Sequence, residues 1–153
     1  MAERANVHAT AIVVGKAGLL FIGPSGIGKS TLAFQCLAAA RRAGWPAALV
    51  ADDQVFLSRQ GQKLVASRPA SIAGLLEIRG SGIVTIPSIA EAELDLAVLL
   101  VEPQTAERLP PSNEVYRIGE MGSLPQIRLI NRHPEPLAVI AAFCGDIGIP
   151  TTL

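Results

Sequence analysis

Leu19-Leu20-Phe21-Ile22-Gly23-Pro24-Ser25-Gly26-Ile27-Gly28-Lys29-Ser30-Thr31-Leu32 joins an apolar run, a glycine-rich break and the start of a periodic segment. The apolar run has the length of a buried strand. From Lys29 to about Arg42 the apolar positions Leu32, Ala33, Cys36, Leu37 and Ala40 recur at helical spacing, and Gly44 and Pro46 supply the stop. Between strand and helix, Gly23-x-x-x-x-Gly28-Lys29-Ser30 meets the nucleotide-phosphate pattern. Glycines let backbone N–H groups turn inward on phosphate oxygens, and the helix start adds partial positive charge. Lys29 would reach the β- and γ-phosphates of a nucleoside triphosphate, and Ser30 would ligate Mg²⁺. Gly23, Pro24, Ser25, Gly26, Ile27, Gly28, Lys29, Ser30 and Thr31 are therefore the expected nucleotide-binding residues of an α/β domain. A bland glycine-rich turn with an exposed lysine is the alternative, but a chance match between such flanks is improbable. The loop alone names no reaction, since kinases, hydrolases, motors and switches share it.

Upstream, residues 12–14 and 19–22 read as strands joined by the four-residue turn Gly15-Lys16-Ala17-Gly18. Downstream, residues 47–51 form a buried-type strand ending at Asp52-Asp53. Residues 55–58 and 63–67 read as a hairpin around Arg59-Gln60-Gly61-Gln62. Within residues 72–86, Leu75-Leu76-Glu77-Ile78-Arg79-Gly80-Ser81-Gly82-Ile83 is a glycine-broken apolar run whose alternation puts Glu77 and Arg79 on one face. Residues 94–101 form another strand, and residues 103–124, rich in Pro, Ser, Asn and charge, read as an exposed loop and candidate mobile flap. Residues 127–130 supply a last strand, and residues 136–143 a last helix closed by Gly145.

The chain has 153 residues, near the usual size of one domain, with 50% hydrophobic and 17% charged residues. Thirteen Lys and Arg balance thirteen Asp and Glu, so no net field draws in nucleic acid or an anionic membrane. Two cysteines, Cys36 and Cys144, show no metal spacing and suit a reducing cytoplasm. Apolar stretches are interrupted before membrane-spanning length, and the first ten residues lack a signal-type apolar core.

Four elements together carry a family resemblance: Val7-His8-Ala9-Thr10 before the first strand, the phosphate loop, Val50-Ala51-Asp52-Asp53-Gln54-Val55, and Leu76-Glu77-Ile78-Arg79-Gly80-Ser81-Gly82-Ile83. With these, residues 6–103 resemble the catalytic domain of HPr kinase/phosphorylase. The resemblance implies a P-loop nucleotide-binding domain similar to phosphoenolpyruvate carboxykinase, a mixed sheet with flanking helices. It implies ATP or pyrophosphate with Mg²⁺ as cofactors, a serine of an HPr-type phosphocarrier as acceptor, reverse phosphorolysis and a homo-hexamer. Longer family members carry an N-terminal regulatory domain; the resemblance to the short alphaproteobacterial form implies one catalytic domain over 1–153 without it, as an expectation. The family's Pro-Gly-Arg-Asn element is replaced by His133-Pro134-Glu135-Pro136, with Arg132 as the nearest arginine.

In that setting Asp52 is the expected base toward the acceptor serine and the acid toward phosphoserine, with Asp53 supporting it or the metal. Paired aspartates that merely cap a turn are the alternative. Glu77 is the expected second metal ligand with Ser30, against a surface ion pair with Arg79. Arg79 would steady the phosphate or hold Glu77, and His8 would approach the transferring phosphate unless it is simply solvated. His133 receives no role, and Cys36 reads as core. A small-molecule kinase would need an arginine-bearing lid, for which 103–124 offers only Arg108 and Arg117. A nucleotide sensor without transfer would need Asp52 to be dispensable.

Overall fold

Alternation along the central strands decides the layering. In the computed structural model, which describes residues 4–149, β3 (Ala17–Ile22) is buried along its whole length. Leu19 and Phe21 pack to one side, with Leu32, Cys36 and Leu37 of the long helix α1 (Lys29–Arg42). Leu20 and Ile22 pack to the other side, with Val55, Leu57 and Leu64. A strand covered on both faces must be apolar at every position, which is why this run shows no polar alternation.

Six strands make the main sheet, in the order β11-β12-β10-β3-β2-β4. The middle strands β3, β10 (Leu96–Val101) and β12 (Gly122–Ile130) are parallel. On one side β2 (Thr10–Val14) runs antiparallel to β3, and β4 (Ala47–Ala51) antiparallel to β2. On the other, β11 (Val115–Ile118) runs antiparallel to β12. Helices α1 and α2 (Pro136–Cys144) cover one face. A second sheet covers the other, four antiparallel strands in the order β1 (Arg4–Val7), β5 (Val55–Gln60), β6 (Lys63–Ser67) and β9 (Glu91–Glu93). The chain passes from β9 of this second sheet to β10 of the main sheet against Gly18 of β3, where a Cβ would lie 1.9 Å from the Glu93 carbonyl oxygen. The separate hairpin β7 (Leu75–Ile78) and β8 (Gly82–Thr85) contacts α1.

Helix α1 and strand β4 occupy the residues expected of them. Both hairpin turns are tighter than the sequence suggests: strand pairing extends to Val14↔Ala17 and Gln60↔Lys63, leaving Gly15-Lys16 and Gly61-Gln62 as the turns. The element at residues 7–10 does not precede the first strand but joins two, since Val7 ends β1, which pairs with β5 through Val7↔Val55, and Thr10 opens β2. Helix α2 is closed by Gly145 as expected, in a right-handed conformation with φ −64°; the left-handed residue is Gly148, after a short 3₁₀ turn.

The largest correction falls on residues 103–124. Only the stretch before Val115 is loop, and the rest is the β11–β12 hairpin with its turn at Gly119-Glu120-Met121. Pro125 lies inside β12 because it is exposed and falls just before the parallel ladder to β10 begins at Gln126↔Ala97. The loop itself is not a free flap. Arg128 on β12 binds Glu114 through Nε and Nη2, both at 2.8 Å, and Glu107 through Nη1 at 3.0 Å.

Candidate active site

Sheet topology brings the expected residues to one edge. β2 runs antiparallel to both β3 and β4, so the start of β2 meets the ends of its two neighbours. His8 and Thr10, the glycine loop, and the Asp52-Asp53 pair thereby converge, and Glu77 and Arg79 arrive from the β7–β8 hairpin. A cleft of about 190 Å³ is lined by His8, Ser25, Gly26, Gly28, Lys29, Ser30, Thr31, Asp53, Glu77 and Arg79. Asp52 lies beneath it, 7% exposed. Strand β7 ends at Ile78, so Arg79 belongs to the turn rather than the strand, yet it still lines the cleft with Glu77.

The loop adopts a backbone that its glycines permit. Gly23 has φ 148°, and a Cβ there would sit 3.1 Å from Ile27 Cγ2; Gly28, the residue before α1, has φ 115°. Lys29 folds back over the loop, where its Nζ donates to the carbonyl oxygens of Gly23 (2.9 Å) and Pro24 (3.0 Å). Burial lowers the Lys29 pKa from its usual value, with the charges of Asp53 and then Asp52 opposing that shift.

Asp52 is the hub beneath the loop. Its Oδ1 accepts from Ser30 Oγ at 2.6 Å and from Thr10 Oγ1 at 2.9 Å, and its Oδ2 accepts from the Glu77 N–H at 3.2 Å. No cation is among these partners. Asp53 is held differently. It has φ 72°, unusual for a residue with a Cβ, and its Oδ1 lies 3.2 Å from His8 Nδ1, with the two side chains 69% and 49% exposed. Arg79 forms no ion pair with Glu77 among the described residues; its Nη1 donates to the Gly26 carbonyl at 3.2 Å.

Two participants escaped the sequence reading. Thr10 is the last residue of the Val7-His8-Ala9-Thr10 element, whose reading gives it no role, and it is fully buried against Asp52. Asn131, just beyond β12, donates from Nδ2 to the Ile27 carbonyl at 2.9 Å, and no local pattern links residues so far apart in sequence. The remaining assignments are ordinary. His133 Nδ1 accepts from the Glu135 N–H ahead of α2, and Cys36 is fully buried with its thiol pKa pushed up to about 12. Among the described residues no three His, Cys, Asp or Glu side chains gather as a metal cluster, and no helix is long and apolar enough to cross a membrane.

Comparison with known proteins adds an independent finding. The family model described as "HPr Serine kinase C-terminal domain" matches residues 1–139. An HPr kinase/phosphorylase of Levilactobacillus brevis is 31% identical over 151 residues, covering 92% of this chain and 46% of its own length. Another, from Lactiplantibacillus plantarum, is 33% identical over 127 residues, 78% of this chain and 36% of that protein. The chain thus spans less than half the length of these curated relatives. A solved structure, the Hpr(Ser) kinase/phosphatase from Coxiella burnetii, superposes with a TM-score of 0.75 at 27% identity, covering 92% of this chain and 95% of that one. The mixed α/β architecture is shared with it.

Proposed function

The chain belongs to the HPr serine kinase C-terminal domain family, and from that premise we propose that it transfers a phosphoryl group from ATP, with Mg²⁺, to a serine of an HPr-type phosphocarrier protein. The observation that carries the reading is the 2.6 Å bond from Ser30 to Asp52 beside a lysine-bearing glycine loop. By donating its hydrogen bond to Asp52, Ser30 keeps its Oγ lone pairs for a hard cation. Glu77 offers a second oxygen in the same cleft, and a cation that retains several waters needs few protein ligands. When bound, Mg²⁺ neutralises charge on the β- and γ-phosphates.

The remaining residues take the roles their positions support. The loop N–H groups and Lys29 bind the triphosphate, and Arg79 steadies it. Asp52 accepts the proton of the acceptor serine as the serine oxygen bonds to the γ-phosphorus and the bond to the β-phosphate oxygen breaks, releasing ADP. Its Oδ2, which takes only the Glu77 N–H, retains acceptor capacity for that proton. A second assignment rests on one observation: Asp53 and His8 line the cleft, whereas Asp52 lies below it. In that version Asp53 takes the proton and Asp52 holds Ser30.

A glycine loop on a mixed sheet supports the phosphoenolpyruvate carboxykinase-like reading of the fold. Pyrophosphate as a donor, reverse phosphorolysis and hexamer assembly extend the same proposal. A small-molecule kinase has less support, since Arg128 ties Glu107 and Glu114 of the segment before β11 to the sheet instead of leaving a lid free.

Transfer of the labelled γ-phosphate of ATP to an HPr-type protein, with Mg²⁺, tests the reading. Serine labelling is expected from the native chain and none from Asp52→Asn, which should still bind ATP; if Asp53→Asn alone is silent, the base is Asp53. ATP binding without labelling of any HPr-type protein would remove the acceptor from the proposal.

A further inference from the structure

A loop that turns its N–H groups toward phosphate must turn its carbonyls away, and each carbonyl then needs a donor on the outside. Most of these donors are already accounted for. Lys29 Nζ takes the carbonyls of Gly23 and Pro24, Arg79 takes that of Gly26, and the first turn of α1 takes that of Gly28 through the Leu32 N–H. The Ile27 carbonyl is taken by Asn131 Nδ2 at 2.9 Å. Asn131 is itself fixed by its own N–H, which donates to the Val101 carbonyl at the end of β10.

The Asn131 amide is kept at a cost. Among the described residues its Oδ1 is buried with no hydrogen-bond partner. An apolar side chain of similar size would avoid that orphaned acceptor but would leave Ile27 unheld. Packing alone therefore does not account for an amide here, whereas its grip on the loop does.

Resting on the nucleotide reading of the site, we infer that Asn131 is a positioning residue for the phosphate loop, holding the Ile27 peptide so that the following N–H groups face the phosphates. It touches no phosphate itself. The consequence is a separation of two quantities: loss of the side-chain donor weakens nucleotide binding, while loss of the orphaned acceptor does not weaken the fold.

Calorimetric titration of the full chain with ATP and Mg²⁺, paired with thermal unfolding, tests this on Asn131→Leu and Asn131→Ala. The expected result is a dissociation constant raised about tenfold, about 1.4 kcal/mol of binding, with the Asn131→Leu melting temperature close to that of the native chain, since removal of the orphaned Oδ1 offsets the Ile27 carbonyl left without its donor. Asn131→Ala, which leaves more room, keeps the comparison available if leucine does not fit. Native-like affinity in a folded variant overturns the inference, as does weakened binding only in proportion to lowered stability. A native chain that does not bind ATP would instead overturn the nucleotide reading, and the role of Asn131 with it.

Discussion

The cleft and the base of the 102–114 loop both gather carboxylates and cations, but they use them in opposite ways. At the loop, the charges satisfy each other: Arg128 binds Glu114 with two nitrogens and Glu107 with a third. In the cleft, where His8 does sit 3.2 Å from Asp53, the two most buried charges, Asp52 and Lys29, do not. The carboxylate of Asp52 is held by two hydroxyls and an N–H, and the ammonium of Lys29 by two carbonyls. Neutral partners fix each group in place without cancelling its charge. A charge held in place but not cancelled is available to a ligand, whereas a cancelled one contributes only to the fold.

The strongest way to break this contrast is to remove the cleft cation. Lys29→Met should lower phosphoryl transfer by about a thousandfold, in the range for loss of a preorganised charge at a developing anion. The fold should hold, because burial already disfavours the Lys29 charge and Lys29 enters none of the described ion pairs. Transfer assays and thermal unfolding on one preparation check both halves. A variant that loses stability and keeps activity would show that Lys29 is structural, and the contrast would fail.

Legibility in the sequence divides along the same line. The strand, glycine loop and helix over residues 19–42 are local structure: each turn is decided by residues a few positions away, so the pattern and the coordinates coincide. Asp52, Asp53, Glu77 and Arg79 were found from motifs, and the structure brings them to the loop. The β11–β12 hairpin was missed because its justification is remote. β12 exists through its parallel pairing with β10, and Pro125 within it looks like a breaker until the start of that ladder is known. Thr10 and Asn131 were missed for a related reason: side-chain donors serving a distant carboxylate or carbonyl leave no periodic trace.

A middle-sized effect should come from the other region. Arg128→Met removes the only cation shared by Glu107 and Glu114 in the described ion pairs. The melting temperature should fall by no more than about 4 °C, because partly exposed pairs are screened by water even when bidentate. Phosphoryl transfer at saturating ATP should stay within about twofold of native. An activity loss as large as that of Lys29→Met would mean that the segment reaches the cleft after all, reviving a lid in place of a staple.

The smallest effect is a pH dependence confined to that staple. The hydrogen bond from Arg128, more than its charge, holds the Glu114 carboxyl below its usual pKa of 4.5 in the folded chain. The unfolded chain then binds a proton at Glu114 more readily than the folded one, so stability rises with pH across this window. The contribution is fully present above 4.5 and is lost as pH falls through the lower folded value. Urea unfolding of native and Glu114→Gln chains at pH 7 and pH 3 isolates it. The native advantage should be present at pH 7, smaller at pH 3, and smaller at both than the effect of Arg128→Met. An advantage unchanged by acid would mean that Glu114 contributes through packing of its stem, and that the loop is held by shape more than by charge.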